Sequence, residues 1–247
     1  MLCTQTTGGV SEADYVDLLL QQQASGIVFI GGLYAQTDAP HEHYARLAAR
    51  HLPTVLFNAS FGDLGFPCVS CDDSVAMEQA ISHLVSLGHS RIGLLIGPLD
   101  HVPSQRKLAA ARVVAAKAGI SLEPEQIAHS FYSLEGAQAS AVRLLEAGVS
   151  GIVCASDPMA LGAIRAARRA GFSVPRDVSV VGFDDSALMT CTDPPLTTVR
   201  QPIEPMCRTA IDLLVSQIAG TALSHNELLF EPELVVRGST APPATSR

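Results

Sequence analysis

The chain has 247 residues, which at roughly 150 residues per domain allows one large α/β unit or two modest lobes, and is enough to bury a core without covalent staples. Its 24 acidic residues against 16 Lys and Arg give a net charge of −8. That balance argues against a surface that grips nucleic acid itself, because phosphate contacts need a basic footprint, and against a polybasic membrane anchor. No apolar run reaches the roughly 20 residues of a spanning helix. Met1 to Gly9 lacks the basic and apolar regions of a secretory leader, so a cytoplasmic chain with no membrane partner is expected. Cys3, Cys68, Cys71, Cys154, Cys191 and Cys207 are too few for a disulfide scaffold and suit a reducing compartment.

In chain order, short apolar runs rich in β-branched residues alternate with helix-length amphipathic segments. Ser11 caps a predicted helix with Tyr15, Leu18 and Leu19 on one stripe, ending near Gly26. Strands follow over 26–30 and 53–57, and Cys68 to Cys71 is strand-like. Asp72 and Asp73 precede a helix with Met77, Ile81, Leu84 and Val85 on one face, closed at Gly88. A strand over 91–96 leads to a helix over 103–118 closed by Gly119. The next helix, 134–147, is closed by Gly148. Further strands over 150–155 and 178–183 flank a helix over 158–170 closed by Gly171. The last quarter breaks the rhythm: 194–199 is extended, 202–219 helical and 228–238 strand-like. Continuous apolar strands alternating with helices predict right-handed βαβ units and a doubly wound parallel sheet.

Catalytic signatures are missing. There is no Gly-x4-Gly-Lys-Ser/Thr cradle, no Gly-x-Ser-x-Gly elbow and no dinucleotide spacing after Gly93. The lone Cys68-x-x-Cys71 has no second pair to complete a zinc site, and His41-Glu42-His43 lacks a carboxylate at ligand spacing. No cofactor or metal is therefore expected. The informative residues lie where strands end, since ligands of open α/β sheets bind outside the carboxyl ends. These are Gly31-Gly32, Asn58, Gly97 to Lys107, Phe131, Ser156-Asp157 and Asp184-Asp185. A carboxylate, an amide, a hydroxyl, a cation and an aromatic face together suit a polyol. Asp72 reads as a helix cap, Asp157 as a cap or a ligand contact, and Phe131 as core or ligand cover.

Four segments carry a resemblance: Ala155-Ser156-Asp157-Pro158-Met159-Ala160-Leu161-Gly162-Ala163, the stretch Val174 to Asp185, Pro195-Leu196-Thr197-Thr198-Val199-Arg200-Gln201-Pro202, and Glu233 to Thr240. With His83-Leu84-x-x-Leu87-Gly88-His89-x-Arg91-Ile92, they resemble the LacI/GalR transcription regulators over nearly the whole chain. The resemblance implies the effector-binding core of such a regulator: two Rossmann-like lobes with parallel sheets, of periplasmic binding protein type I, joined by three crossing segments around a small ligand. It implies a sugar or sugar phosphate as effector, with a purine as the alternative, a repressor acting as a homodimer, and operator contact only through a helix-turn-helix headpiece.

By similarity Asp184 grips effector hydroxyls, Gln201 faces the ligand from a crossover, Phe131 takes the aromatic position, Asn58 takes a polar position and Ser156 stands where Asn is common. The family's arginine precedes Leu-Ala-Gly-Phe; here Lys107 precedes Leu108-Ala109-Ala110-Ala111 with Arg106 beside it, so either Lys107 acts as a point charge or Arg106 takes its place. Met1 to Thr6 resembles the family's second strand, which predicts a fragment or late-start chain without headpiece, first strand and first helix. An interior strand of the first lobe would then be missing and sheet edges exposed. The lobes are predicted as 1–71 plus 201–222, incomplete, and 72–200 plus 223–240, with 241–247 a flexible tail. A periplasmic-type sugar receptor and a Rossmann-type enzyme are the rival readings.

Overall fold

The computed structural model describes residues 1–4, 9–59, 64–221 and 227–244. In chain order the elements are α1 (Glu12–Gln21), β1 (Ile27–Ile30), α2 (Glu42–Ala49), β2 (Thr54–Phe57), β3 (Cys68–Cys71), α3 (Asp73–Ser86), β4 (Ile92–Ile96), α4 (Val102–Lys117), β5 (Ile127–His129), α5 (Leu134–Glu146), β6 (Gly151–Cys154), α6 (Asp157–Arg169), β7 (Ser179–Asp184), β8 (Thr197–Arg200), α7 (Ile203–Ile218), β9 (Glu227–Phe230) and β10 (Glu233–Val235). The chain forms two compact units, Met1–Ser70 with Ile203–Phe230, and Cys71–Pro202 with Glu231–Arg247. Among the described residues no helix is long and apolar enough to cross a membrane.

The first unit carries the sheet β1-β2-β3-β9, with β1, β2 and β3 parallel. Its strands are short and apolar: Val55, Leu56, Phe57 and Val69 are buried, each contributing on the order of 1.5–3 kcal/mol. At the end of β1 a buried polar network fixes the following loop. Glu12 accepts from Leu33 N–H at 3.1 Å, from His43 at 2.8 Å and from the Tyr44 hydroxyl. His43, part of the sequence's His-Glu-His cluster, thus serves an internal carboxylate.

The second unit carries the sheet β10-β8-β7-β6-β4-β5, parallel except where β10 meets β8. Strands β4, β6 and β7 are buried along nearly their whole length, as the continuous apolar runs require. Helix α3 packs on α4, and α5 on α6. The α5–α6 approach depends on Gly162, where an added Cβ would lie 2.5 Å from the Leu134 carbonyl oxygen and 2.8 Å from Ala137 Cβ. Side-chain oxygens cap the helices, at Asp72 as read from the sequence and at Ser133 as the structure adds. Asp72 accepts from Ser74 and Val75 N–H at 2.9 and 3.1 Å, and Ser133 from Gly136 N–H at 3.2 Å.

Several sequence expectations need correction. Met1–Thr4 form no strand, and 5–8 lie outside the described residues. Helix α1 ends at Gln21, and Gln23, not Gly26, adopts the left-handed conformation at φ 55°; Gly88, Gly119, Gly148 and Gly171 do close their helices with positive φ. The run 228–238 is two strands in two different sheets, β9 and β10, interrupted at Glu231-Pro232, where proline cannot donate to a ladder. Strand β5 lay hidden in a three-residue stretch ending in His129.

Ala241, the first residue of the expected tail, is tied down; 245–247 lie outside the described residues. The Ala241 N–H donates to Ser179 Oγ at 3.0 Å, its carbonyl accepts from His89 Nε2 at 2.9 Å, and His89 Nδ1 meets Ser150 Oγ at 2.9 Å. Burial holds the His89 imidazole below the ordinary histidine value, with the Ala241 contact opposing it. The folded state therefore binds fewer protons than the unfolded one as pH falls below about 6.5, and stability falls with it. Urea unfolding of wild type and His89→Gln isolates this contribution: the wild-type advantage at pH 7.5 is expected to shrink at pH 5.5.

Candidate functional site

The loops after the carboxyl ends of β4, β6 and β7 and the start of α3 bring a set of charged side chains together in the second unit. Lys107, on α4, is 5% exposed. Its ammonium contacts the buried Asp73 carboxylate in the first turn of α3 and sits 4.1 Å from the centre of the Phe183 ring. A buried ammonium is costly unless paired, and a carboxylate on one side and an aromatic face on the other supply both compensations. Burial alone would discharge Lys107. The Coulombic and hydrogen-bonding pull of Asp73 outweighs it and holds the group above the ordinary lysine value.

Asp157 is fully buried at the start of α6. Its carboxylate accepts from Ser186 N–H at 2.8 Å, from Ser186 Oγ at 2.9 Å and from Thr198 Oγ1 at 2.7 Å. Burial raises its pKa, and these three donors oppose the rise. Space for it exists because residue 182 is glycine: a Cβ there would stand 2.6 Å from Asp157 Oδ1 and 2.8 Å from Leu196 Cδ2. Asp157 is not the cap but the support of the turn after β7; the cap of α6 is Ser156, which accepts from Met159 N–H at 3.4 Å.

Asp184, the last residue of β7, lies on that turn with φ 117°, outside the usual range for a residue with a side chain. Its Oδ1 accepts from Gln201 Nε2 at 2.6 Å. Burial pushes this carboxyl up to about 6; Gln201, Lys107 and the Asp157 N–H pull it down, and the Asp157 charge pushes it further up. A half-buried carboxylate with these two donors, beside an ammonium already paired, keeps lone pairs that can accept hydrogen bonds from hydroxyl groups.

The residues expected from the sequence thus divide. Lys107, Asp184 and Gln201 converge, with Ser156 at the cap of the adjoining helix. Arg106 is half-buried on α4. Phe131 is 75% exposed on the loop between β5 and α5, so it is not core. Asn58 belongs to the first unit, just past β2, where its N–H donates to the Val69 carbonyl at 2.8 Å with φ 65°. Sequence reasoning passed over Asp73 and Tyr132. The signal for Asp73 was a second acid directly after a capping Asp. Tyr132 adjoins Phe131, and its hydroxyl lies 2.8 Å from Ser104 Oγ. The Cys68-x-x-Cys71 pair lies in β3 with both side chains buried, and burial pushes the Cys71 thiol up to about 12, leaving it unreactive.

The model of the periplasmic binding protein-like domain matches residues 81–240. The HTH-type transcriptional regulator MalR of Streptomyces coelicolor is 49% identical over 245 residues, 98% of this chain and 71% of that protein. The chain belongs to this family, in the branch of the LacI-type transcriptional regulators. Two solved structures place the likeness in three dimensions. The regulator CelR in complex with cellobiose has a TM-score of 0.83 at 30% identity, covering 92% of this chain and 69% of that one. A LacI family regulator from Mycobacterium smegmatis has a TM-score of 0.83 at 27% identity, covering 94% and 84%. The chain is the effector-binding core of a LacI-type regulator, and its relatives offer no support for a separate periplasmic receptor.

For this LacI-type core the position of Asp184 has a measurable cost. A folded-state value of about 6 lies above the unfolded value near 3.9, so the stabilisation from holding the proton is complete below about pH 4 and is lost as pH rises through 6. Asp184→Asn is expected to be more stable than wild type at pH 7.5 by about 2–3 kcal/mol, with the gap closing toward pH 4. Urea unfolding at the two pH values measures it.

Proposed function

We propose that the second unit senses a neutral polyhydroxylated effector, a sugar and not a sugar phosphate or purine, through Asp184 and Gln201, with Phe131 covering an apolar sugar face. The observation that carries this reading is the charge arrangement. Lys107 is taken up by Asp73, while Asp157 and Asp184 add two further carboxylates. An anionic phosphate meets unneutralised negative charge there, whereas sugar hydroxyls donate to it. CelR, solved with cellobiose, supports the sugar class. Ser156 and Lys107 then act beneath the ligand, as helix cap and as internal counter-charge, and Arg106 is proposed as an additional polar contact.

As a regulator, the protein switches only to the extent that its effector binds one of two states more tightly than the other. We infer a cytoplasmic homodimer that represses transcription; that it does so by binding operator DNA through a helix-turn-helix segment is supported by its relative MalR, named as an HTH-type transcriptional regulator. The acidic core, with its net charge of −8, is suited to sensing and not to phosphate contact. A thermal-shift comparison of maltose, cellobiose, glucose, glucose 6-phosphate and hypoxanthine tests the ligand class. At least one neutral sugar at about 100 times its Kd is expected to raise Tm by roughly 5–10 °C, and Asp184→Ala to abolish that shift. A larger shift with glucose 6-phosphate or hypoxanthine contradicts the class, and an undiminished shift in Asp184→Ala contradicts the role of Asp184.

A further inference from the structure

The turn after β7 runs against the preferences of its own backbone. Asp184 has φ 117° and Asp185 φ 57°, and such conformations persist in residues with side chains only where the surroundings over-determine them. Each residue of the turn is held from a different side. Gln201 N–H donates to the Asp184 carbonyl at 3.4 Å, and the Gln201 amide to its carboxylate at 2.6 Å. Ser186 is held by Asp157 through its N–H and its hydroxyl. Between them, Asp185 is gripped by two guanidinium groups, Arg200 Nε to Oδ2 at 2.7 Å and Arg237 Nη2 to Oδ1 at 2.5 Å.

The two arginines are not equivalent. The Arg200 side chain is 45% exposed and shares its charge with Glu233 at 3.2 Å. The Arg237 side chain is 13% exposed and doubly anchored: Nη1 donates to the Leu196 carbonyl at 2.8 Å, and its backbone N–H to Thr197 Oγ1 at 2.9 Å. Without Arg237, the Asp185 carboxylate would keep only the half-exposed Arg200, already shared with Glu233, while in sequence contact with Asp184 and within the field of Asp157, and repulsion would loosen the turn.

We propose that Arg237 is a positioning residue of the effector site: by fixing Asp185 in its left-handed conformation, it sets the direction of the Asp184 carboxylate and of the Gln201 amide bonded to it. The function rests on the sugar-sensing reading above; the geometry does not. A displacement of an ångström at a positioned group is enough to weaken its interactions by orders of magnitude, so a support one residue away controls the site without touching the ligand.

The test compares Arg237→Gln, Arg237→Lys and Arg200→Gln with wild type in the full 247-residue chain. The first readout is the Gln201 side-chain amide in 15N–1H spectra. In wild type its hydrogen-bonded proton is expected to exchange slowly with solvent and to shift with pH as Asp184 titrates. In Arg237→Gln, exchange is expected to quicken at least tenfold and the pH-dependent shift to vanish, while the backbone spectrum stays dispersed. Arg237→Lys keeps the charge without the fork and is expected to fall between. Arg200→Gln is expected to stay within threefold of wild type. The second readout is maltose affinity, expected to weaken about tenfold in Arg237→Gln and less than threefold in Arg200→Gln.

A folded Arg237→Gln with a wild-type Gln201 signal overturns the proposal. Should that variant not fold, a wild-type signal in Arg237→Lys overturns it. If no sugar binds wild type, the sugar-sensing reading fails, and the amide signal still decides whether Arg237 positions the pair.

Discussion

Lys107 is buried where the loops of the second sheet converge, and Asp73 is the charge that lets it stay there. The pair joins the first turn of α3 to α4 and places the ammonium against Phe183, the residue that precedes Asp184. An ammonium lost from water demands a partner, and the partner must come from a different element, so the contact fixes the approach of the two helices at the carboxyl ends of the strands. It also determines what charge is left. With Lys107 and Asp73 compensating each other, Asp157 and Asp184 are met, among the described residues, by the uncharged donors Ser186, Thr198 and Gln201.

Those two acids have opposite tasks. Asp157 is fully buried and satisfied by three donors, so it gives rigidity: it holds Ser186, and through Thr198 it ties the turn to β8. Asp184 is half-buried and held by the Gln201 amide and the Asp157 N–H, which leaves lone pairs on its oxygens free to accept. The strained turn after β7 carries Asp184 itself, while Asp157 reaches the same turn from the start of α6 through Ser186. Gly182 is the sequence feature that permits this, since any side chain there would collide with Asp157. Stability given up at Asp184 is the usual trade at a site that must bind.

How much of this was legible in the sequence depends on whether a signal was local. The strands β4, β6 and β7 announced themselves as continuous apolar runs, and Ser11 and Asp72 were readable as caps because capping is decided within four residues. The motifs 155–163, 174–185, 195–202 and 233–240 pointed to the family, and the second and third of them to Asp184 and Gln201. The burial of Lys107 was not legible, because nothing in a helix rich in alanine distinguishes a lysine facing solvent from one facing a carboxylate 34 positions away. Asp73 was read as a helix-start acid for the same reason. The run 228–238 looked like one strand, because the switch between sheets is a tertiary event marked only by Pro232. In α1 the expected glycine terminator lost to Gln23, which adopts the left-handed conformation itself.

The account stands on the claim that Lys107 and Asp73 exist for each other. A double-mutant cycle with Lys107→Met and Asp73→Ala, read by urea unfolding at pH 7.5, measures that directly. Each single variant is expected to lose about 3–5 kcal/mol, because it strands one buried charge, and the double variant no more than either single one. Single losses that add to within about 0.5 kcal/mol in the double variant would show the two charges to be independent and would contradict the account.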